Sequence, residues 1–402
     1  MATVPGLDTS LFMQRSIMDD LIERDDNPEL GRRLGLSRRQ LLAATTGMAA
    51  AAALGAAAFG GGPAHAATRA AAVSGAKGAG NGVLLPPGKR GIILYTVRDA
   101  VSRDPNTTDL ASGFKEVFQE LSRIGYKQIE FAGFGQHANA EGGNVNNVAG
   151  AQLLRTWLDD NGLEAEGNHG SIPSTVSDAT IAAFDAQCEV ANILGLGHIG
   201  TGNDPTNSAF VADWELAAER WNFFGERAAS HGLKLYTHNH DIAYSFLLDS
   251  GPLDALGRPT RSSGIRRLEH FLQNTDPSYV YLEMDIYWAH VAQYKHRSFT
   301  APDGTVVESL FDPAGVVSAQ TTRFPLFHTK DGRINTATPN GYDMVPFGQG
   351  DIDYTTFFQR IGAKGYHNSM WEQDTAPGGG ANPGQSLAFA QVAYDGMAAL
   401  RG

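Results

Sequence analysis

The chain of 402 residues carries a single cysteine, Cys188. One thiol excludes an internal disulfide framework and any cysteine-based zinc cluster. Basic side chains are in deficit, 31 Lys and Arg against 43 Asp and Glu, for a formal net charge of −12. Such an acidic protein repels polyanions, so nucleic acid is not an expected partner. No segment reads as a membrane span of about 20 strongly apolar residues, and none is expected in the mature form. A Gly-rich phosphate turn after the first apolar run is also missing. Tyr95-Thr96-Val97-Arg98-Asp99 stands there instead, which argues against a doubly wound dinucleotide-binding sheet. What is present, 42% hydrophobic against 18% charged residues, is the balance of a globular chain.

The N-terminus has a different composition from the rest. Ser37-Arg38-Arg39-Gln40-Leu41-Leu42 is a twin-arginine pattern, followed by a mildly apolar Ala/Gly stretch over 41–60 and by Ala64-His65-Ala66, a small-x-small cleavage site. This order is that of an export signal handled by the twin-arginine (Tat) machinery. Residues 1–66 are therefore expected to be removed on export to the periplasm or the exterior. Residues 67–88, Ala/Gly-rich with few large apolar groups, read as a flexible linker.

From about residue 89 onward, short apolar runs alternate with helical patterns. The spacing predicts strands at 91–95, 128–132, 163–167, 198–200, 233–237, 279–284, 325–327 and 367–371. Helices are expected at 110–124, 148–160, 177–194, 208–230, 265–273, from 312, at 353–361 and at 387–400. Eight strand–helix units over 89–402 suit one (β/α)8 TIM barrel. Two stretches, 249–263 and 290–311, are expected as extra loops.

In such barrels chemistry gathers at the C-terminal ends of the strands. Strands five to eight end at or next to His238, Asp285, His328 and Glu372, at successive intervals of 47, 43 and 44 residues. Each interval is one β/α unit, so the four side chains can converge. Two imidazoles and two carboxylates suit Mn²⁺, Zn²⁺, Co²⁺ or Fe²⁺ better than Mg²⁺, which prefers oxygen. His240, two residues past His238, either binds substrate, replaces His238 as ligand or is a solvated loop histidine. Lys330 either neutralises a developing enediolate or pairs with Asp331. Glu130 ends strand two and either orients a substrate hydroxyl or a ligand or forms an ion pair inside the barrel, and His169 ends strand three near the pocket. Tyr95, Tyr287 and Trp288 are candidates to stack on a sugar or to pack under the loops. Gly348-Gln349-Gly350 either presents free N–H groups to an anion or turns into Asp351 as a helix cap.

Several phrases together resemble the xylose isomerase-like barrel superfamily of sugar phosphate isomerases and epimerases. They are Leu94-Tyr95-Thr96-Val97-Arg98-Asp99, Gly125-Tyr126 before Ile129-Glu130, Thr237-His238-Asn239-His240-Asp241, Glu283-Met284-Asp285-Ile286-Tyr287-Trp288, His328-Thr329-Lys330-Asp331 and Gly348-Gln349-Gly350-Asp351-Ile352-Asp353. The resemblance covers about 89–402. It implies one divalent metal held by Glu, Asp, His and Glu from strands five to eight. Asp285, His328 and Glu372 match the last three, whereas His238 stands where the pattern has Glu.

A metal-chelated carbonyl acidifies the neighbouring C–H, and a base then gives an enediolate. The expected function is an exported, metal-dependent isomerase or epimerase of an unphosphorylated sugar or keto-sugar. Glu372 is the expected proton-transfer base, with Lys330 and His169 as further catalytic candidates. A lyase or hydratase acting on 3-keto-sugars or glycosides is the alternative. An inactive sugar- or partner-binding barrel is the alternative from another class. Oligomeric state stays open.

Overall fold

The computed structural model describes residues 82–402 apart from 363–364, 377 and 379–380. The expected export signal, its expected cleavage site and most of the expected linker lie outside the described residues. Eight parallel strands make one sheet: β1 (Arg90–Ile93), β2 (Gln128–Phe131), β3 (Glu164–Asn168), β4 (His198–Thr201), β5 (Lys234–His238), β6 (Val280–Asp285), β7 (Leu326–His328) and β8 (Asn368–Trp371). Their order is β3-β2-β1-β8-β7-β6-β5-β4. The two ends of that order meet through a parallel bridge between His169 and Gly200, where Gly170 N donates to Gly200 O at 2.9 Å. The sheet thus nearly closes on itself, and helices surround it as in the expected TIM barrel.

Eight of the helices are labelled α1 (Gly113–Ile124), α2 (Val148–Asp160), α3 (Asp178–Leu194), α4 (Val211–Ser230), α5 (Arg267–Asn274), α6 (Pro313–Ala319), α7 (Tyr354–Ile361) and α8 (Gln385–Ala399). Their local causes are ordinary ones. In α1, Phe114, Val117, Phe118, Leu121 and Ile124 form one buried stripe at helical spacing. The helix stops at Gly125, whose φ of 122° suits a residue without Cβ. At α3, Ser177 and Thr180 make a reciprocal capping box, and Gly195 closes the helix in the left-handed region. The stripes pack against strands that are buried on both faces, which is why β1, β2, β4 and β8 read as short runs without alternation. Among the described residues no helix is long and apolar enough to cross a membrane.

Three stretches differ from the sequence reading. The expected irregular loop over 290–311 begins as a helix, Ile286–Lys295, running directly off β6, and continues as a hairpin of Ser298–Thr300 with Val306–Glu308. The loop over 249–263 is likewise a hairpin, Ser250–Leu253 with Pro259–Arg261. The two hairpins join, since Ser262 N donates to Thr300 O at 2.9 Å and Arg261 Nη1 donates to Pro302 O at 2.7 Å. A third hairpin, Asp331–Ile334 with Tyr342–Val345, follows β7. All three follow the C-terminal ends of barrel strands and so stand around the mouth of the barrel.

Candidate metal and acid/base centre

Alternation along a strand places residues i and i+2 on one face. Glu283 and Asp285 of β6 therefore both enter the barrel, as do Tyr236 and His238 of β5, and His328 and Lys330 at the end of β7. The result is a buried polar cluster in two tiers that share His328.

The upper tier contains His238, Asp285, His328 and Glu372, all buried, with one potential ligand atom from each lying within 4.8 Å of the others. His238 Nε2 is 3.1 Å from Asp285 Oδ2, and His328 Nδ1 is 3.8 Å from that same oxygen. His328 Nδ1 is 2.6 Å from Glu372 Oε2, yet makes no hydrogen bond of normal geometry. The lower tier contains Glu130, His169 and Glu283. His328 Nε2 faces Glu130 Oε2 at 2.9 Å and Glu283 Oε2 at 3.2 Å. His169 Nε2 lies 2.8 Å from Glu283 Oε2 and 3.4 Å from Glu130 Oε1. The Tyr236 hydroxyl donates to Glu130 Oε1.

Lys330 bridges the upper carboxylates. Its Nζ is 2.8 Å from Asp285 Oδ2, 2.7 Å from Glu372 Oε2, and 3.0 Å from Asp374 Oδ1. Burial opposes the charge on Lys330, but Asp285 and Glu372 outweigh it and raise its pKa well above the usual value. For His328, too, burial is outweighed, by the carboxylates of Glu283 and Glu372, and the imidazolium is favoured. Glu372 is held well below the usual carboxylate range, because Lys330 and His328 overcome its burial. Burial pushes Glu283 up to about 7 and His169 down to about 4. Burial and the neighbouring His328 hold His238 neutral.

This donor set fits a divalent ion. His238 and His328 supply imidazole nitrogen, Asp285 and Glu372 supply oxygen, and His238 Nε2 and His328 Nδ1 both face Asp285 Oδ2. Behind His328 stands a carboxylate, Glu130, the arrangement that fixes the ring of a metal-ligating histidine. Charge points the same way. Four buried carboxylates, Glu130, Glu283, Asp285 and Glu372, face the Lys330 ammonium and the His328 imidazolium, and a divalent ion would take the place of the His328 proton as counter-charge.

The other sequence candidates are placed as follows. His169 sits in the lower tier, its ring stacked 5.1 Å from that of His328. Glu130 is fully buried and contacts His328. His240 lies outside both tiers, because β5 ends at His238 and the chain turns. Its Nδ1 is 3.3 Å from Asp204 Oδ2, and its ring lies 4.9 Å from that of His238. The ring of Trp288 lies 5.7 Å from Lys330 Nζ, and its indole N–H is buried without a partner. Tyr95 is 42% exposed beneath the Arg98 guanidinium, and Tyr287 is buried against the third hairpin.

Three expectations are corrected. Lys330 does not pair with Asp331, whose side chain points the other way. The N–H groups of Gly348 and Gly350 are not free for an anion, since both donate to Asp331 Oδ2, at 2.8 and 3.0 Å. Nor does Asp351 cap α7. Asp353 does so, accepting from Thr356 N at 2.9 Å, while Asp351 accepts from Ile334 N. Glu283, Tyr236 and Asp374 were missed, although each lies two residues from a chosen site residue, and strand alternation is the signal that finds Glu283 and Tyr236.

The family described as xylose isomerase-like TIM barrel matches residues 118–385. Among solved structures, a sugar phosphate isomerase/epimerase from Parabacteroides distasonis is similar at 20% identity and a TM-score of 0.53, over 78% of this chain and 94% of that one. A second such protein from the same organism gives 19% identity and a TM-score of 0.54, over 76% and 96%. The probable 3-DHS dehydratase from Bacillus anthracis gives 14% identity and a TM-score of 0.50, over 76% and 97%. None of the curated proteins compared with the chain matches it.

Proposed function

The chain belongs to the xylose isomerase-like TIM barrel family, and from that premise we propose that it is a divalent-metal-dependent isomerase or epimerase acting on an unphosphorylated sugar or keto-sugar. The observation that carries the proposal is the convergence of His238, Asp285, His328 and Glu372 within 4.8 Å at the mouth of the barrel. Export is part of the proposal and rests on Arg38-Arg39 and the site ending at Ala66. Sugar phosphates are scarce outside the cytoplasm, and the protein is acidic, so the substrate is an uncharged carbohydrate.

His238, Asp285, His328 and Glu372 would hold a divalent ion, which when bound would supply Lewis-acid acidification of the C–H beside a substrate carbonyl. The chain's own groups do the rest. Glu372, on the outer side of the upper tier, takes the proton from that carbon. Lys330 brings a permanent positive charge to the place where oxyanion character develops. Glu130 accepts from His328 Nε2 and fixes the ring so that Nδ1 faces Asp285 and Glu372. Trp288 offers an apolar face and one free N–H beside Lys330.

A second reading is a lyase or hydratase, favoured by one feature. The two flanks of the site are unlike, a carboxylate at Glu372 and a neutral imidazole at His238, which suits one-sided proton removal more than symmetric two-base epimerisation. A dehydratase among the similar folds is consistent with it. Both readings predict exchange of substrate hydrogen with solvent. Metal-loaded protein is incubated in D₂O with a panel of unphosphorylated sugars and keto-sugars, and exchange is read by mass. Glu372→Gln, assayed at metal concentrations that saturate its weakened site, should lose exchange by at least ~100-fold. Undiminished exchange in that variant removes Glu372 from the mechanism.

A further inference from the structure

Lys330 touches the same oxygens that a metal would use. Its Nζ lies 2.8 Å from Asp285 Oδ2 and 2.7 Å from Glu372 Oε2. Those are the oxygens that face the imidazoles of the ligand group, Asp285 Oδ2 toward His238 at 3.1 Å and Glu372 Oε2 toward His328 at 2.6 Å. An ammonium and a divalent ion cannot both sit within bonding distance of one buried oxygen without strong repulsion. Lys330 also has a second seat. Asp374, two residues beyond Glu372 and outside the ligand group, already takes Nζ at 3.0 and 3.1 Å through its two oxygens. Its side chain is 28% exposed, whereas those of Asp285 and Glu372 are at most 5% exposed. The seat at Asp374 therefore lies nearer the mouth.

We propose that Lys330 is a displaceable counter-cation that competes with the divalent ion for Asp285 and Glu372 and retreats onto Asp374 when the ion enters. Without metal, the ammonium neutralises the two carboxylates and keeps the upper tier together. With metal, the same ammonium is confined to Asp374 and the face of Trp288, on the substrate side of the site. Lys330 is thus a positioning residue for the metal, and its competition sets how tightly the ion is held. The inference rests on the reading that His238, Asp285, His328 and Glu372 form the metal site.

The test is Mn²⁺ affinity of the full chain, measured by competition with a chromophoric chelator. The wild type is compared with Lys330→Met, Asp374→Asn, the double variant and His328→Ala. Lys330→Met, which keeps the stem and removes the charge, should bind Mn²⁺ at least ~10-fold more tightly, because the competitor is gone. Asp374→Asn should bind it ~3-fold or more weakly, because the displaced ammonium loses its receiving carboxylate. In the double variant the Asp374→Asn penalty should vanish. Asp374 is partly exposed, so its variant folds even if Lys330→Met does not. If the wild type binds Mn²⁺ and His328→Ala does not, yet Lys330→Met and Asp374→Asn bind like the wild type, the metal reading stands and this inference falls. If neither the wild type nor Lys330→Met binds Mn²⁺, both fall. Binding by Lys330→Met alone supports the competition in its strongest form.

Discussion

Glu130→Gln perturbs the lower tier, behind His328. Glu130 is fully buried, accepts the Tyr236 hydroxyl at Oε1 and faces His328 Nε2 at 2.9 Å through Oε2. Glutamine keeps the shape. Its oxygen can still accept from His328, and its amide can donate to the Tyr236 oxygen if that hydroxyl turns. The charge is lost, and with it the charge assistance of the bond behind a proposed metal ligand. A hydrogen bond to a charged group contributes about 1.5–3 kcal/mol against about 0.5–1.5 for a neutral one, so the difference is roughly 1–1.5 kcal/mol. That corresponds to about tenfold in metal affinity, at the low end of the ~10–100-fold typical of such backing residues. The fold itself should lose little, because burial and the neighbouring Glu283 carboxylate already disfavour the Glu130 anion.

Two measurements check this. Chelator competition should show Mn²⁺ affinity about 10–100-fold weaker than in the wild type. Denaturant unfolding at a fixed metal concentration should show a smaller metal contribution. At a hundred times the wild-type Kd that contribution is about 2.7 kcal/mol, and a tenfold weaker site reduces it to about 1.4 kcal/mol. The metal-free variant should unfold within about 1 kcal/mol of the wild type. A folded Glu130→Gln protein whose Mn²⁺ affinity is within about threefold of the wild type refutes the orienting role.

Other expectations follow from groups outside the ligand set. Burial pushes His198 down to about 4 from the ordinary 6.5, so the unfolded chain binds a proton between these values that the folded chain refuses. Stability should fall as pH drops from 6.5 toward 4, by on the order of 3 kcal/mol from this residue, and His198→Gln should flatten that part of the curve in denaturant titrations. Gly350→Ala would set a Cβ 2.0 Å from Asp331 Oδ1 and break the cradle of N–H groups around that carboxylate. It should lower unfolding free energy by about 2–3 kcal/mol, and a neutral result would show that the turn moves freely. Exported protein should begin at Ala67, and N-terminal sequencing that finds Met1 on the exported form would contradict cleavage after Ala66.

The barrel is legible in the sequence because strands buried on both faces leave short apolar runs, and each is followed by a helix with one buried stripe. The upper tier is legible for a related reason. In a barrel, one unit interval is the distance between adjacent strand ends, so 47, 43 and 44 residues bring His238, Asp285, His328 and Glu372 together. The hairpins were not legible. Their strands are three or four residues long, and Ser250-Gly251-Pro252-Leu253 carries the turn formers that ordinarily mark a loop. Lys330 illustrates a different limit. Adjacency suggested Asp331 as its partner, but neighbours along an extended strand point to opposite faces. The side chain thus meets Asp285 and Glu372 on flanking strands while Asp331 faces the Gly348–Gly350 turn.

The cluster also has a direction that bears on what it can do. Its two permanent or readily acquired positive charges, His328 and Lys330, both come from the end of β7. The strands on either side, β6 and β8, supply Asp285, Glu283 and Glu372. Strand alternation puts both cations on the inner face and turns Thr329 away, so one three-residue segment balances carboxylates from both neighbours. A buried anion left without its partner is far more costly than a pair that was never buried. Removing either β7 charge should therefore disturb the whole cluster, whereas a change at His238, neutral and on the far side of β6, leaves that balance intact. The carboxylate flank and the neutral flank are not interchangeable. Under the proposed function a proton leaving the substrate would go toward Glu372, while His238 stands where the family resemblance implies a Glu.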